Sequence, residues 1–187
     1  MRLPILTLLA VWSAATLAGT DSSIDTETGL TTWQTESQGI QVRLTQISPD
    51  QTRSFYQARG FSPAAAERYA SECVFMTVVR NIGDTPIQHR LADWRYESAG
   101  APPRAIRSKT EWERIWKQRG ATESARIAFT WAQLPDTQTF AAGDWNQGMT
   151  SYSVPRGGQF DLRFVWRTGG TIHSGILEQV KCADEHS

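Results

Sequence analysis

The sequence predicts a mainly β protein, an antiparallel sandwich of about seven strands with two short helices. Three observations predict it. Short alternating or wholly apolar runs recur along the chain, separated by turn-forming clusters such as "NIGDTP", "PRGG" and "RTGG". The connections suit antiparallel neighbours and are too short for the helical crossovers of a parallel sheet. Two cysteines, Cys73 and Cys182, stand far apart in a chain that opens like an exported protein.

That opening is "MRLPILTLLAVWSAATLA", residues 1–18. It carries one positive charge at Arg2, then an apolar run, then Thr16 and Ala18 as the small residues before a cleavage point, which is the layout of a secretory signal peptide. Pro4, Thr7, Ser13 and Thr16 interrupt the apolar run, which falls short of the roughly 20 mostly apolar residues of a spanning helix. No later segment approaches that length, so no integral membrane span is expected. The 187 residues less these 18 leave 169, one domain by length. Without Arg2, 18 basic residues face 19 acidic ones, a charge of −1 that gives no footprint for nucleic acid. In an oxidising compartment, Cys73 and Cys182 are expected to form one disulfide.

Residues 19–39, "GTDSSIDTETGLTTWQTESQG", are rich in Ser, Thr, Asp and Glu and read as a flexible leader, with the sandwich domain spanning 40–183. "IQVRLTQI" alternates, with Ile40, Val42 and Leu44 on one face. "SPAAAERYASE" reads as a short helix with Ser62 as N-cap and Pro63 at its first position. It hands over to "CVFMTVVR", apolar on both faces except at Thr77, as a central strand should be. "IQHRLADWRY" is expected to return as its hairpin partner. In "SKTEWERIWKQRG", Ser108 and Glu111 fit a capping box, Trp112 and Trp116 share a face, and Gly120 stops the helix. "ARIAFTWAQL", "MTSYSV", "QFDLRFVW" and "TIHSGILEQVKC" complete the strands. In the third of these Phe160, Leu162, Phe164 and Trp166 take one face, Asp161 and Arg163 the other.

The run "CVFMTVVRNIGDTPIQHRLADW" resembles a hairpin of bacterial extracytoplasmic immunoglobulin-like domains, and "FAAGDWNQGMTSYSVPRGGQFDLRFVW" is similar to their closing hairpin. The resemblance implies an immunoglobulin-like sandwich and no activity. The cysteine spacing departs from the antibody-domain pattern, since Cys182 ends the final strand.

No motif announces a reaction. There is no G-x-S-x-G, no phosphate-binding loop and no dinucleotide fingerprint, and the cysteines are expected to be bonded to each other. A serine beside His89 or His173, and the carboxylate pairs Asp93 with Glu97 or Asp144 with Asp161, have nothing in their spacing to select them. Copper is the chemical alternative, with His89, His173, Met76, Met149 and His186 as ligands, although no H-x-H or M-x-x-M spacing supports it.

Aromatic residues offer another route to function. Trp131 and Trp166 fall in phase with apolar alternation and are expected in the core, Trp112 and Trp116 on a helix face, and Trp33 in the leader. Trp94 fits either layer. That leaves the loop "GDWNQGMTSY", where Trp145, Asn146, Gln147 and Tyr152 combine a stacking ring with amide donors, although Gly143 and Gly148 would equally serve a plain turn. The sequence thus describes a secreted or periplasmic binding protein without catalytic function. It would present Trp145, Asn146, Gln147 and Tyr152, with Trp112 and Trp116 of the helix Lys109 to Arg119, to another extracytoplasmic protein. A copper-handling protein and a carbohydrate-binding module are the alternatives.

Overall fold

The computed structural model describes residues 19–184, so the signal-peptide reading of 1–18 and the ligand candidate His186 lie outside the described residues. Two antiparallel sheets carry the fold. The first is built from β1 (Asp21–Ile24), β2 (Thr31–Ser37), β3 (Ile40–Gln46), β4 (Cys73–Asn81) and β9 (Trp145–Tyr152), in that spatial order. The second is centred on β10 (Gln159–Thr168), with β11 (Thr171–Lys181) along one side. On the other side β5 (Ile87–Arg90) and β6 (Arg95–Ser98) lie end to end, joined by a short 3-10 turn over Leu91–Asp93. Outside them pair β8 (Thr137–Phe140) and β7 (Arg104–Ala105) respectively.

The inner faces of the two sheets share one core. Val42, Leu44, Phe75 and Val79 of the first sheet pack with Phe160, Leu162, Phe164 and Trp166 of the second, so the alternation read in β3 and β10 is the burial pattern. Tyr152 and Phe160 bring the sheets together at a ring separation of 4.6 Å. The expected disulfide is present: Cys73, at the start of β4, bonds Cys182, just past β11, and ties one sheet to the other.

A helical layer covers part of the outer face of the first sheet. Its members are α1 (Pro49–Gln57), α2 (Pro63–Ala70), α3 (Lys109–Gln118) and α4 (Glu123–Ala132). Each begins where a hydroxyl satisfies free backbone N–H groups: Ser48, Ser62, Ser108 and Thr122 are the four N-caps. Tyr56, Phe61, Tyr69, Trp112, Trp116 and Phe129 form a second apolar cluster with Val74 and Met149 of the sheet. Trp112 and Trp116 stack at 5.0 Å. This explains why β4 is apolar on both faces. One face meets the second sheet and the other meets the helices.

Several expectations need correcting. The described residues hold eleven strands and four α-helices, not about seven and two. The leader expected over 19–39 contains β1 and β2: β2 pairs along β3, and Trp33 is buried edge-on against Phe75. Composition undercounted this segment, because β2 gains ladders of hydrogen bonds on both sides and one tryptophan supplies a large buried area. "ARIAFTWAQL" is helix α4, not a strand. Its alternation was an accident of placing Ile127, Phe129 and Trp131 two apart; at helical pitch Ala125 and Phe129 face inward while Ile127 and Trp131 face water.

The two expected hairpins are absent as well. β4 and β5 belong to different sheets, as do β9 and β10, so "NIGDTP" and "SVPRGG" are crossings between layers. Asn81 holds the first crossing and the turn before β9 together. Buried at the end of β4, it places its Nδ2 within hydrogen-bond reach of the carbonyls of Thr85, Phe140 and Ala141, and its Oδ1 accepts from Gly83 N–H.

Candidate functional site

The segment "GDWNQGMTSY" is mainly a strand. Gly143 makes the turn, with φ of +80°, and Asp144 closes it by accepting the Ala141 N–H at 2.9 Å. From Trp145 onward the chain is β9, the outermost strand of its sheet. Gly148 serves a different need. The backbone of Gln133 and Leu134 crosses β9 so closely there that no side chain fits, and Leu134 N–H donates to the Met149 carbonyl at 3.1 Å.

The six aromatic and amide candidates divide. Trp145 is 57% exposed, Gln147 is exposed, and half-buried Asn146 donates to Gln138 Oε1 at 2.7 Å. Tyr152 is not available for recognition. It is fully buried between the sheets, its hydroxyl accepting from Thr150, and burial raises the phenol pKa so that it stays protonated. Trp112 and Trp116 are likewise buried, since they form the face of α3 that packs on the sheet.

Strand register defines what surrounds Trp145. Arg80 lies opposite it on β4, followed outward by Gln41 and Glu36, which hydrogen-bond each other at 2.6 Å. The next row on the same face is Gln147, Val78, Arg43 and Gln34. Further along, Met149 and Met76 pair beneath the helices, so the helical layer covers that end and leaves the Trp145 end open. Arg80 and Arg43 are exposed and form no ion pair among the described residues. The result is a flat platform with one indole, two guanidiniums, three amides and the Glu36 carboxylate, suited to stacking and to hydrogen bonding.

Trp131, expected in the core, is instead the most exposed tryptophan described, at 85%. With Ile127 it borders a groove of about 350 Å³ between α3 and α4, whose walls carry Glu113 paired with Arg126 at 2.9 Å and with Lys117 at 3.4 Å. The signal for this helix was present in the sequence. Thr122 can cap, Glu123 is acidic in the first turn, and helix-forming alanines follow the Gly120 stop.

The copper candidates among the described residues do not converge. His89, Trp166 and His173 form a row across β5, β10 and β11, so the indole stands between the two imidazoles. His173 Nδ1 lies 2.7 Å from Gln38 Oε1 and its ring stacks on Trp166. His89 is fully buried with both ring nitrogens lacking a hydrogen-bond partner among the described residues, and desolvation pushes its pKa down to about 4. Met76 and Met149 face each other on the opposite side of the other sheet, where Tyr56 donates its hydroxyl hydrogen to Met149 Sδ at 3.1 Å. No group of three or more His, Cys, Asp or Glu suited to a metal ion occurs among the described residues.

The catalytic constellations considered do not assemble either. His89 hydrogen-bonds no serine hydroxyl, Asp93 is paired with Arg167 at 2.8 Å, and Asp144 lies in the turn before β9 whereas Asp161 lies in β10 of the other sheet. Comparison with protein-family models and with curated proteins yields no match. No helix among the described residues is long and apolar enough to cross a membrane.

Proposed function

We propose that this protein is a non-catalytic binding module of the secreted or periplasmic space, an elaborated immunoglobulin-like sandwich that contacts another extracytoplasmic protein through the open end of its first sheet. One observation carries the reading. Five of the seven described tryptophans, at 33, 94, 112, 116 and 166, are buried, whereas Trp145 stands 57% exposed on a strand beside Arg80 and Gln147. Exposed aromatic and arginine side chains on a rigid element are what interface centres are made of. The disulfide supports an oxidising compartment. Placing the contact residues on strands rather than on a loop also lowers the entropy lost on binding.

The test is affinity capture from the extracytoplasmic fraction of the source cell, comparing the intact protein with Trp145→Ala and Arg80→Ala. Both side chains are exposed, so the variants should keep wild-type unfolding midpoints and lose a common partner. Retention of every partner by the double variant sinks the proposal. A carbohydrate-binding reading draws on the same flat indole and amides, and Trp145 fluorescence across a glycan panel separates the two.

A further inference from the structure

We propose that a second site, the half-open pocket between β7, the start of α3 and the end of β9, binds a small oxyanion group such as a carboxylate, phosphate or sulfate. The cavity has a volume of about 240 Å³. That is below the usual range for drug-sized ligands and fits a single compact group.

Two arginines on the short segment leading into α3 supply the charge. Arg104 and Arg107 both reach Ser153, Arg104 Nη1 donating to its carbonyl at 3.3 Å and Arg107 Nη2 to its hydroxyl at 3.5 Å. Both contacts are long for charged donors, whose usual separation is nearer 2.8 Å. Arg107 is the better marker of the two. Its Nε is buried with no hydrogen-bond partner among the described residues, and its guanidinium lies over the Trp112 ring at 5.1 Å.

The neighbouring carboxylates are already engaged. Glu72 is matched by Arg68 at 2.7 Å and by the Ser153 hydroxyl at 2.7 Å, leaving Arg107 at 3.7 Å. Glu111 is occupied in the α3 capping box, accepting from Ser108 N–H at 2.8 Å and from its hydroxyl at 2.9 Å. Three guanidiniums, at 68, 104 and 107, thus face two carboxylates, at 72 and 111, and one positive charge is left over. Planar, charged donors around a partly enclosed volume are the chemistry that selects an oxyanion over chloride, because a planar fork is matched by paired oxygens and not by a sphere. This site is separate from the Trp145 platform.

The experiment is thermal unfolding of the intact protein in sodium phosphate, sodium sulfate and sodium acetate, each against sodium chloride at matched ionic strength. A saturable rise in midpoint is expected with at least one oxyanion, and the identity of the effective salts distinguishes tetrahedral dianions from a carboxylate. Arg104→Gln, at an exposed residue that leaves the core untouched, is expected to weaken the apparent affinity about tenfold or more, and Arg107→Gln at least as much. Trp145→Ala should leave the response intact. Midpoints that follow ionic strength alone, or an oxyanion response unchanged in Arg104→Gln, overturn the proposal.

Discussion

Gly148 of β9 and Leu134, two residues beyond the end of α4, meet backbone to backbone. That approach seats the end of the helix against the edge of the first sheet, with Gln133 bridging Met149 in parallel. Gly148→Ala inserts a methyl group into backbone atoms that cannot yield, so a loss of about 2 kcal/mol or more is expected in urea unfolding. Gly143→Ala has open space around it and suffers only from a positive φ, which costs about 1 kcal/mol. Equal losses at the two positions would show that the helix end is not seated on the strand.

Cys73 and Cys182 close a loop of 109 residues between the sheets. In the loop-entropy account such a link stabilises by about 4 to 5 kcal/mol, most of which should disappear in a Cys73→Ala, Cys182→Ala double variant. Denaturant titration of the oxidised and double-variant proteins checks this. Coincident curves would mean that the two sheets need no covalent tie.

His89 makes stability fall with acid. Its pKa is about 4 in the folded protein, below the ordinary value near 6.5, because burial opposes the charged form. Between those two values the unfolded chain binds more protons, so stability rises with pH across that window. It is highest above about pH 6.5 and decreases on acidification towards pH 4 by at most about 3 kcal/mol. His89→Phe fills the site beside Trp94 and Phe140 without a titratable group. Unfolding free energies at pH 4.5 and pH 7.5 should differ less in that variant than in the parent. An undiminished difference would assign the acid sensitivity elsewhere.

Trp33 tests the segment before β3. Its indole is buried against Phe75 in the core shared by the two sheets, so Trp33→Ala should destabilise by about 3 to 5 kcal/mol. A tryptophan in a free leader would leave the midpoint where it was.

Of the candidate site, Trp145 and Gln147 were legible as single exposed residues, and its grouping was illegible. Trp145 was identifiable as exposed because it lies outside every apolar repeat. Its neighbours Arg80, Gln41 and Arg43 come from other strands, and only the register brings them beside it. Tyr152, Trp112 and Trp116 carry the same amphipathic chemistry as Trp145, so residue type alone could not separate a binding ring from a packing ring. Arg104 and Arg107 offered no signal, because their meaning depends on Ser153 and Glu72, which lie far away in the chain.

By itself the sequence determined the local elements whose periodicity is unmixed: the alternation of β3 and β10, the capped helices at Ser62 and Ser108, and the pairing of its two cysteines. Tertiary structure decided which layer each strand joins, whether Glu123–Ala132 coils or extends, and which indoles meet water. The physical reason is that periodicity states which side of an element is apolar, while the surface that will cover that side belongs to residues distant along the chain.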